Sequence, residues 1–189
     1  SCSAGSCNLG WCAGGTCTQQ SVCDKPVVMA ESFEDPVAPG WWHTASEAQS
    51  GAGFGWKSAL DAKAADGKRA LHCGYGNGKY VARAPPIVLA PGSWELSFAT
   101  RLSLDGDDCT KGALSVLHNE VELTKICKSS EAMQTVTVVL TVTPAAPIVA
   151  LAFEFNPVSG KPDVDRGVWL DNVKLTAPAP PGSCSCGVP

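Results

Sequence analysis

Asp171 is the residue with the clearest chemical demand in this sequence. It lies in the strand-like segment Gly167-Val168-Trp169-Leu170-Asp171-Asn172-Val173-Lys174-Leu175. Alternate side chains of a strand point to opposite faces, so Asp171 shares a face with Val173 and Leu175, and these aliphatic residues indicate the core. A buried, unpaired carboxylate is costly. Asp171 is therefore expected to meet backbone amides, a cation or a metal ion.

Aromatic residues are the second group that could do chemistry, because flat rings can stack on the apolar faces of sugar rings. At least one member of the adjacent pair Trp41-Trp42 should face away from the core if that segment is extended. Arg83 and Arg101 are candidate polar partners for sugar hydroxyls. The alternatives are core packing for each aromatic residue and a solvated sheet face for the arginines. The aromatic candidates for ligand binding are Trp41, Trp42, Trp56, Tyr75 and Tyr80.

Catalytic motifs are scarce. The three histidines, His43, His72 and His118, lie in unrelated segments. The sequence has no Gly-x-Ser-x-Gly elbow and no His-Glu-x-x-His motif. The stretch 74–79 is rich in glycine but lacks the spacing of a phosphate loop, and it is typical of a hairpin turn. We therefore predict that the protein is not an enzyme.

Composition limits the class of protein. The 189 residues carry a net charge of −4, and their 14 Lys and Arg are scattered, so a nucleic acid partner is not expected. Ten cysteines without a Cys-x-x-Cys pair indicate disulfides in an oxidising compartment. No apolar run approaches the roughly 18 residues of a membrane span, and no signal peptide precedes Ser1. We expect an exported protein, in mature or trimmed form.

Residues 1–24 contain five cysteines at nearly regular spacing and few large apolar side chains. Disulfides would have to order such a segment, since it cannot build a core. Five is an odd number, so one of these cysteines pairs elsewhere, for example with Cys73 or the tail, or Cys2 forms no disulfide. A lipidated Cys2 is a further alternative.

Residues 25–177 read as an all-β domain without a sustained helical period, and turn signals recur about every ten residues. This pattern predicts an antiparallel two-sheet sandwich of jelly-roll type, with Thr135–Thr143 and Ile148–Phe155 in the middle of a sheet. Cys109 and Cys127 flank a predicted hairpin and are expected to form a disulfide. The predicted strands before the last one are Val27–Glu34, Arg69–Cys73, Lys79–Ala82, Ile87–Ala90, Trp94–Leu104, Ala113–Leu117, Glu120–Ile126, Thr135–Thr143 and Ile148–Phe155.

Three landmarks occur in an order that resembles the jelly-roll domains of carbohydrate-binding modules and MAM-type ectodomains. They are Ser32-Phe33-Glu34-Asp35 followed by Gly40-Trp41, the stretch Gly67-Lys68-Arg69-Ala70-Leu71-His72, and Trp169 to Leu175. The resemblance covers most of residues 26–176. It implies a structural calcium between the first and last strands, held by Glu34 and Asp171, with Asp35 nearby. In the alternative, loop amides occupy Asp171 and no metal binds.

Residues 178–189 form a proline-rich linker and a cysteine-containing tail. The motif Pro180-Pro181-Gly182-Ser183-Cys184-Ser185-Cys186-Gly187 resembles the start of the myxobacterial C-terminal sorting signal. The hydrophobic helix and arginine cluster of that signal are missing here. The resemblance implies anchoring through Cys184 or Cys186 at the outer membrane surface. A disulfide role for both cysteines is the alternative.

Together these features predict a non-catalytic cell-surface domain for recognition or adhesion. Its first-choice ligand is a polysaccharide or glycoconjugate, bound by the aromatic residues and Arg101. The alternative is a structural module for protein-protein contact or homotypic adhesion, with a cell-surface protein as its partner. Contact with a membrane is expected only through a lipid anchor or a removed tail.

Overall fold

The computed structural model describes residues 12–13, 16–17, 27–35, 41–43 and 55–177, and these ranges contain strands and turns but no helix. None of the described elements is thus a helix long and apolar enough to span a membrane. The strands are β1 (Cys12–Ala13), β2 (Thr16–Cys17), β3 (Val27–Glu31), β4 (Trp42–His43), β5 (Trp56–Leu60), β6 (Arg69–Asn77), β7 (Tyr80–Arg83), β8 (Ile87–Val88), β9 (Gly92–Ser103), β10 (Gly112–His118), β11 (Val121–Ile126), β12 (Gln134–Val142), β13 (Ile148–Val149) and β14 (Leu151–Thr176).

Two antiparallel sheets form the domain. The first sheet has the order β12-β9-β14-β6-β5, and β3 pairs with the last residues of β14. The second sheet has the order β11-β10-β14-β7-β4. Their inner faces share one hydrophobic core. In it, Phe98 of the first sheet packs edge-on against Phe153 of the second, with the ring centroids 5.3 Å apart. The predicted all-β sandwich is confirmed.

Strand β14 connects the two sheets. Its first part, from Leu151 to Pro157, lies between β10 and β7, and its last part, from Gly167, lies beside β9 and β6. At Gly167 (φ +127°) an added Cβ would come within 2.0 Å of the Cys73 carbonyl oxygen. Glycine is thus required where β14 enters the first sheet.

Strand β9 follows the predicted alternation. Trp94, Leu96, Phe98, Leu102 and Leu104 are all buried in the core, as their spacing indicates. These side chains make β9 a core strand, and the residues between them, including Arg101 and Ser103, belong to its outer face. The outer face of β9 is where the candidate site lies.

The prediction that 135–143 lies in the middle of a sheet is wrong. In the described part of the chain β12 pairs only with β9, so it is the edge strand of the first sheet. Of the β-branched residues in this segment, Val136 and Val138 are half-buried and Val142 is buried, whereas the others are exposed. A run of β-branched residues favours a strand, but it does not distinguish an edge from a centre.

The β10-β11 hairpin turns at Asn119 and Glu120, which both have positive φ. Beyond the two ends of this hairpin, Cys109 and Cys127 form the disulfide expected from their positions. Cys73 is a buried free thiol, so the suggested pairing of Cys73 with an N-terminal cysteine is not seen. In the N-terminal segment the backbone of Cys12 lies opposite that of Cys17. The proposed domain boundaries remain predictions.

Candidate functional site

A row of stacked side chains crosses the outer face of the first sheet. Lys57 lies opposite His72, His72 opposite Trp169, and Trp169 opposite Arg101 on four adjacent strands. The rings of His72 and Trp169 stack with centroids 4.3 Å apart, and the Arg101 guanidinium lies 3.7 Å from the Trp169 centroid on its other side. Directly opposed residues of neighbouring strands share a face, which is how the sequence builds this row.

Arg101 is held in place from two sides. Its Nη2 donates to the Asp61 Oδ2 at 2.9 Å, and both side chains of this ion pair are nearly buried. The contact with Trp169 fixes the plane of the guanidinium. Because Arg101 keeps further N–H donors beyond the one used by Asp61, it is a preorganised donor group beside open space.

That open space is a polar cleft of about 490 Å³. Strand β12 begins at Gln134, which lies opposite Thr100, so β12 does not pair with the last three residues of β9 (101–103). The chain between β11 and β12 crosses there instead, where Ser130 N donates to the Leu102 carbonyl oxygen and Leu104 N donates to Ser129 Oγ. The cleft is lined by Lys63, Arg101, Leu102, Ser103, Leu104, Asp107, Ser129, Ser130 and Glu131.

Backbone and side-chain contacts fix the rim of the cleft. Ser129 N donates to Asp107 Oδ1 at 3.0 Å, and Lys63 Nζ donates to the Glu131 carbonyl oxygen at 2.7 Å. Three loops from distant parts of the chain therefore meet around the end of β9. The cleft offers two cations, two carboxylates and three hydroxyls, which suit a ligand rich in hydroxyl groups.

A second cavity of about 290 Å³ lies nearby and is more apolar. It is lined by Thr100, Leu102, Ile126, Lys128, Ser129, Ser130, Gln134 and Val136. Thr100 and Leu102 alternate with Arg101 and Ser103 along β9, so this cavity opens on the core side of the sheet edge. It is distinct from the polar cleft, although both touch Ser129 and Ser130.

Four of the five aromatic candidates are in the core. The rings of Tyr75 and Tyr80 are fully buried, Trp56 is 6% exposed, and Trp41 packs against Phe33 and Phe153. The ligand-binding role predicted for these four residues is not supported, since a buried ring presents no face to a sugar. For Trp42 the structure describes only the backbone, which pairs with Arg83.

Asp171 and Glu34 both bind the loop between β5 and β6. Asp171 Oδ2 accepts from the amides of Ala65 and Asp66 at 2.7 and 2.9 Å, and Oδ1 accepts from its neighbour Asn172 at 2.6 Å. Burial raises the pKa of Asp171, and these amide contacts oppose the rise. The contacts match the alternative in which loop amides occupy the carboxylate.

Glu34 accepts hydrogen bonds from the end of the same loop and from the first residue of β6. Its Oε1 accepts from Lys68 N at 2.8 Å and Arg69 N at 2.7 Å. A Cβ at Gly67 would lie 2.3 Å from the Glu34 carboxyl carbon, so glycine makes room for this contact. In the described residues no group of three or more His, Cys, Asp or Glu side chains is arranged around a common metal position. Calcium at Glu34 and Asp171 remains an untested prediction.

The sequence indicated only Arg101 among the polar residues of the cleft. No recognisable motif in the sequence includes the other polar residues of the cleft, which are Lys63, Ser103, Asp107, Ser129, Ser130 and Glu131. Their meeting depends on contacts between segments 22 to 68 residues apart, which spacing along the chain does not reveal. Cys184 and Cys186, the predicted anchor residues, lie outside the described residues.

No known protein-family model matches this chain, and no curated protein matches its sequence. Solved structures share its fold. The K1 cleaved adhesin domain of Lys-gingipain from Porphyromonas gingivalis W83 is 18% identical, with a TM-score of 0.58 over 79% of this chain and 98% of that one. The TmCBM61 structure in complex with β-1,4-galactotriose is 11% identical, with a TM-score of 0.56 over 78% and 95%. A cyclase from Fischerella sp. TAU is 20% identical, with a TM-score of 0.54 over 79% and 94%. Adhesins, carbohydrate-binding modules and an enzyme thus share one sandwich fold.

Proposed function

We propose that this domain is a non-catalytic recognition module that binds carbohydrate in the polar cleft beside Arg101. The observation that carries the proposal is the cleft itself, in which a fixed guanidinium lies beside hydroxyl, carboxylate and ammonium groups on a rigid sheet. Hydrogen bonds to charged groups contribute about 1.5–3 kcal/mol each, so a few of them suffice for specific, reversible binding. The complex of the similar TmCBM61 fold with a galactose trisaccharide supports this ligand class.

A glycan array followed by affinity measurements on the best oligosaccharide would test the proposal. Lys63→Ala combined with Glu131→Ala removes one positive and one negative side chain from the rim, and we expect affinity to fall about tenfold or more. The matched control is Lys79→Ala with Glu154→Ala, which removes an ion pair of 2.6 Å from the second sheet. The control should bind like the wild type.

The Trp42→Ala variant tests whether the ligand binds in the polar cleft or on the second sheet. Loss of binding in Trp42→Ala, with full binding in the cleft variant, would move the ligand to the β4-β7 region and overturn the cleft assignment. Absence of binding to every glycan on the array would contradict the carbohydrate proposal as a whole.

A protein-protein adhesion module is the second candidate function. Val88 and Ile148 lie directly opposite each other on β8 and β13 and are 75% and 55% exposed, which is unusual for a cross-strand aliphatic pair. Val88→Ser with Ile148→Ser should abolish adhesion to a protein partner, measured as cell or bead aggregation, and leave glycan binding unchanged. Unaltered aggregation would remove this candidate.

We further propose that the domain acts outside the cell, tethered to the outer membrane surface through its tail. The support is the proline-rich linker with Cys184 and Cys186, and the ten cysteines of the chain. Mass spectrometry of the protein from its native membrane should find a modification on one of these two cysteines. A tail with both cysteines in a disulfide would contradict the tether.

A further inference from the structure

We infer that β12 (Gln134–Val142) is a self-association strand, through which two copies of the chain join their first sheets edge to edge. All nine residues of β12 pair with β9, from Gln134 opposite Thr100 to Val142 opposite Gly92. On its other side, no described residue pairs with β12. The backbone N–H and C=O groups of such an edge are a template for another strand.

The sequence of β12 lacks the usual protection of an edge. Its sequence, Gln-Thr-Val-Thr-Val-Val-Leu-Thr-Val, contains no charged residue, no proline and no glycine. Seven of its nine residues are β-branched, and the other two are Gln134 and Leu140. β11, the edge strand of the second sheet on the same side of the sandwich, carries Glu122 and Lys125. One edge is thus protected by charge and the other is open.

A second copy fits β12 better than an unrelated strand, because the strand is complementary to itself. A two-fold axis through Val138 pairs all nine residues and places Val136 opposite Leu140 of the other copy. The half-buried Val136 and Val138 would extend the core row across the interface, and Val139, 63% exposed, would lie opposite Thr137. With no charge in the strand, this pairing brings no like charges together.

The symmetry of such a dimer bears on the proposed function. The two-fold axis of an antiparallel strand pair is perpendicular to the sheet, so the outer faces of both first sheets point the same way. Both polar clefts would then open on the same face of one continuous sheet. If carbohydrate binds in the cleft, the dimer presents two sites to one polysaccharide and gains avidity. This last step rests on the proposed function, and the pairing itself does not.

Light scattering of the full chain over a concentration series tests the pairing without any ligand. We expect a mass near twice the 19.5 kDa of the chain at the higher concentrations. Thr137→Lys with Val139→Lys places like charges directly opposite each other, and it should raise the dissociation constant at least about tenfold. An equimolar mixture with Thr137→Glu plus Val139→Glu should restore the dimer, since opposite charges then meet.

Val121→Lys on β11 is the matched control, because Val121 is 65% exposed on the other edge strand. It should leave the dimer intact. A non-reducing gel separates any disulfide-linked dimer from the paired one, and thermal unfolding shows whether each variant is folded. A monomeric wild type at every concentration, or a dimer indifferent to the charges on β12, would overturn the inference whatever the outcome of the glycan measurements.

Discussion

Asp171 has no solvent exposure, yet each of its two carboxylate oxygens accepts backbone hydrogen bonds. Two of the donors come from the loop between β5 and β6, more than 100 residues away in sequence. Asp171 therefore attaches this loop to the last strand, while Glu34 attaches the loop's end to the region after β3. A residue with these contacts stabilises the fold rather than binding a ligand.

Asp171→Ala should lower the free energy of unfolding by about 3–5 kcal/mol, because it leaves buried amides without acceptors at about 1–3 kcal/mol each. Asp171→Asn keeps one carbonyl oxygen for Ala65 and Asp66 but turns an amide group toward Asn172, so about 1–2 kcal/mol should be lost. Urea unfolding measures both. The exposed Asp165, changed to Asn, is the control and should have little effect. An Asp171→Ala variant as stable as the wild type would show that these contacts contribute nothing.

His72 makes the stability of the domain depend on pH. Burial lowers the pKa of His72 from 6.5 to about 4, the Arg166 carbonyl contact opposes this, and the charges of Lys57 and Arg101 lower the pKa further. The unfolded chain therefore takes up this proton at higher pH than the folded one. Stability should be full above pH 6.5 and should decrease as pH falls toward about 4.

Urea unfolding between pH 7 and pH 4 would measure this dependence. For a group that is only 5% exposed, a shift of this size corresponds to a loss on the order of 2–3 kcal/mol. His72→Phe keeps a ring on Trp169 and removes the titrating group, so most of this pH-dependent loss should disappear. An equal loss in His72→Phe would place its origin in other residues.

At the level of strands, the sequence was most informative where side chains alternate. The faces of β9 followed from the spacing of its apolar residues. The prediction that Asp171 shares the core face with Val173 and Leu175 is wrong. Asp171 lies opposite Ala99 on the outer face, and a shift in register after Asp171, with Asn172 at φ +48°, returns Val173 and Leu175 to the core. The position of β12 in the sheet did not follow, because β-branched residues fit both a covered and an exposed strand. The single long β14 was also not predicted. Its crossing between the sheets depends on close backbone contact at Gly167, which composition does not reveal.

Composition and spacing were also insufficient to identify most residues of the candidate site. Large rings can stack on sugars, but a hydrophobic core also needs large rings, and sequence does not distinguish the two roles. In this domain four of the candidates are buried in the core, namely Trp41, Trp56, Tyr75 and Tyr80. Arg101 could be predicted as a binding residue because a guanidinium can donate hydrogen bonds to sugar hydroxyls. The other residues of the cleft are exposed polar side chains of loops, and only the three-dimensional contacts between those loops identify them.

For the molecule as a whole, the open question is whether a calcium ion joins the first and last strands. On the observed contacts we expect none at Asp171, because three N–H groups point at its oxygens and a cation would have to displace them. Glu34 likewise faces two N–H groups. The thermal unfolding midpoint should therefore be the same in excess calcium and after chelation. A midpoint that rises with calcium concentration, as a ligand of the folded state requires, and no longer rises in Asp171→Asn, would instead establish the metal site. Calcium sensitivity that persists in Asp171→Asn would place an ion elsewhere in the chain and leave the role of Asp171 in fixing the loop unchanged.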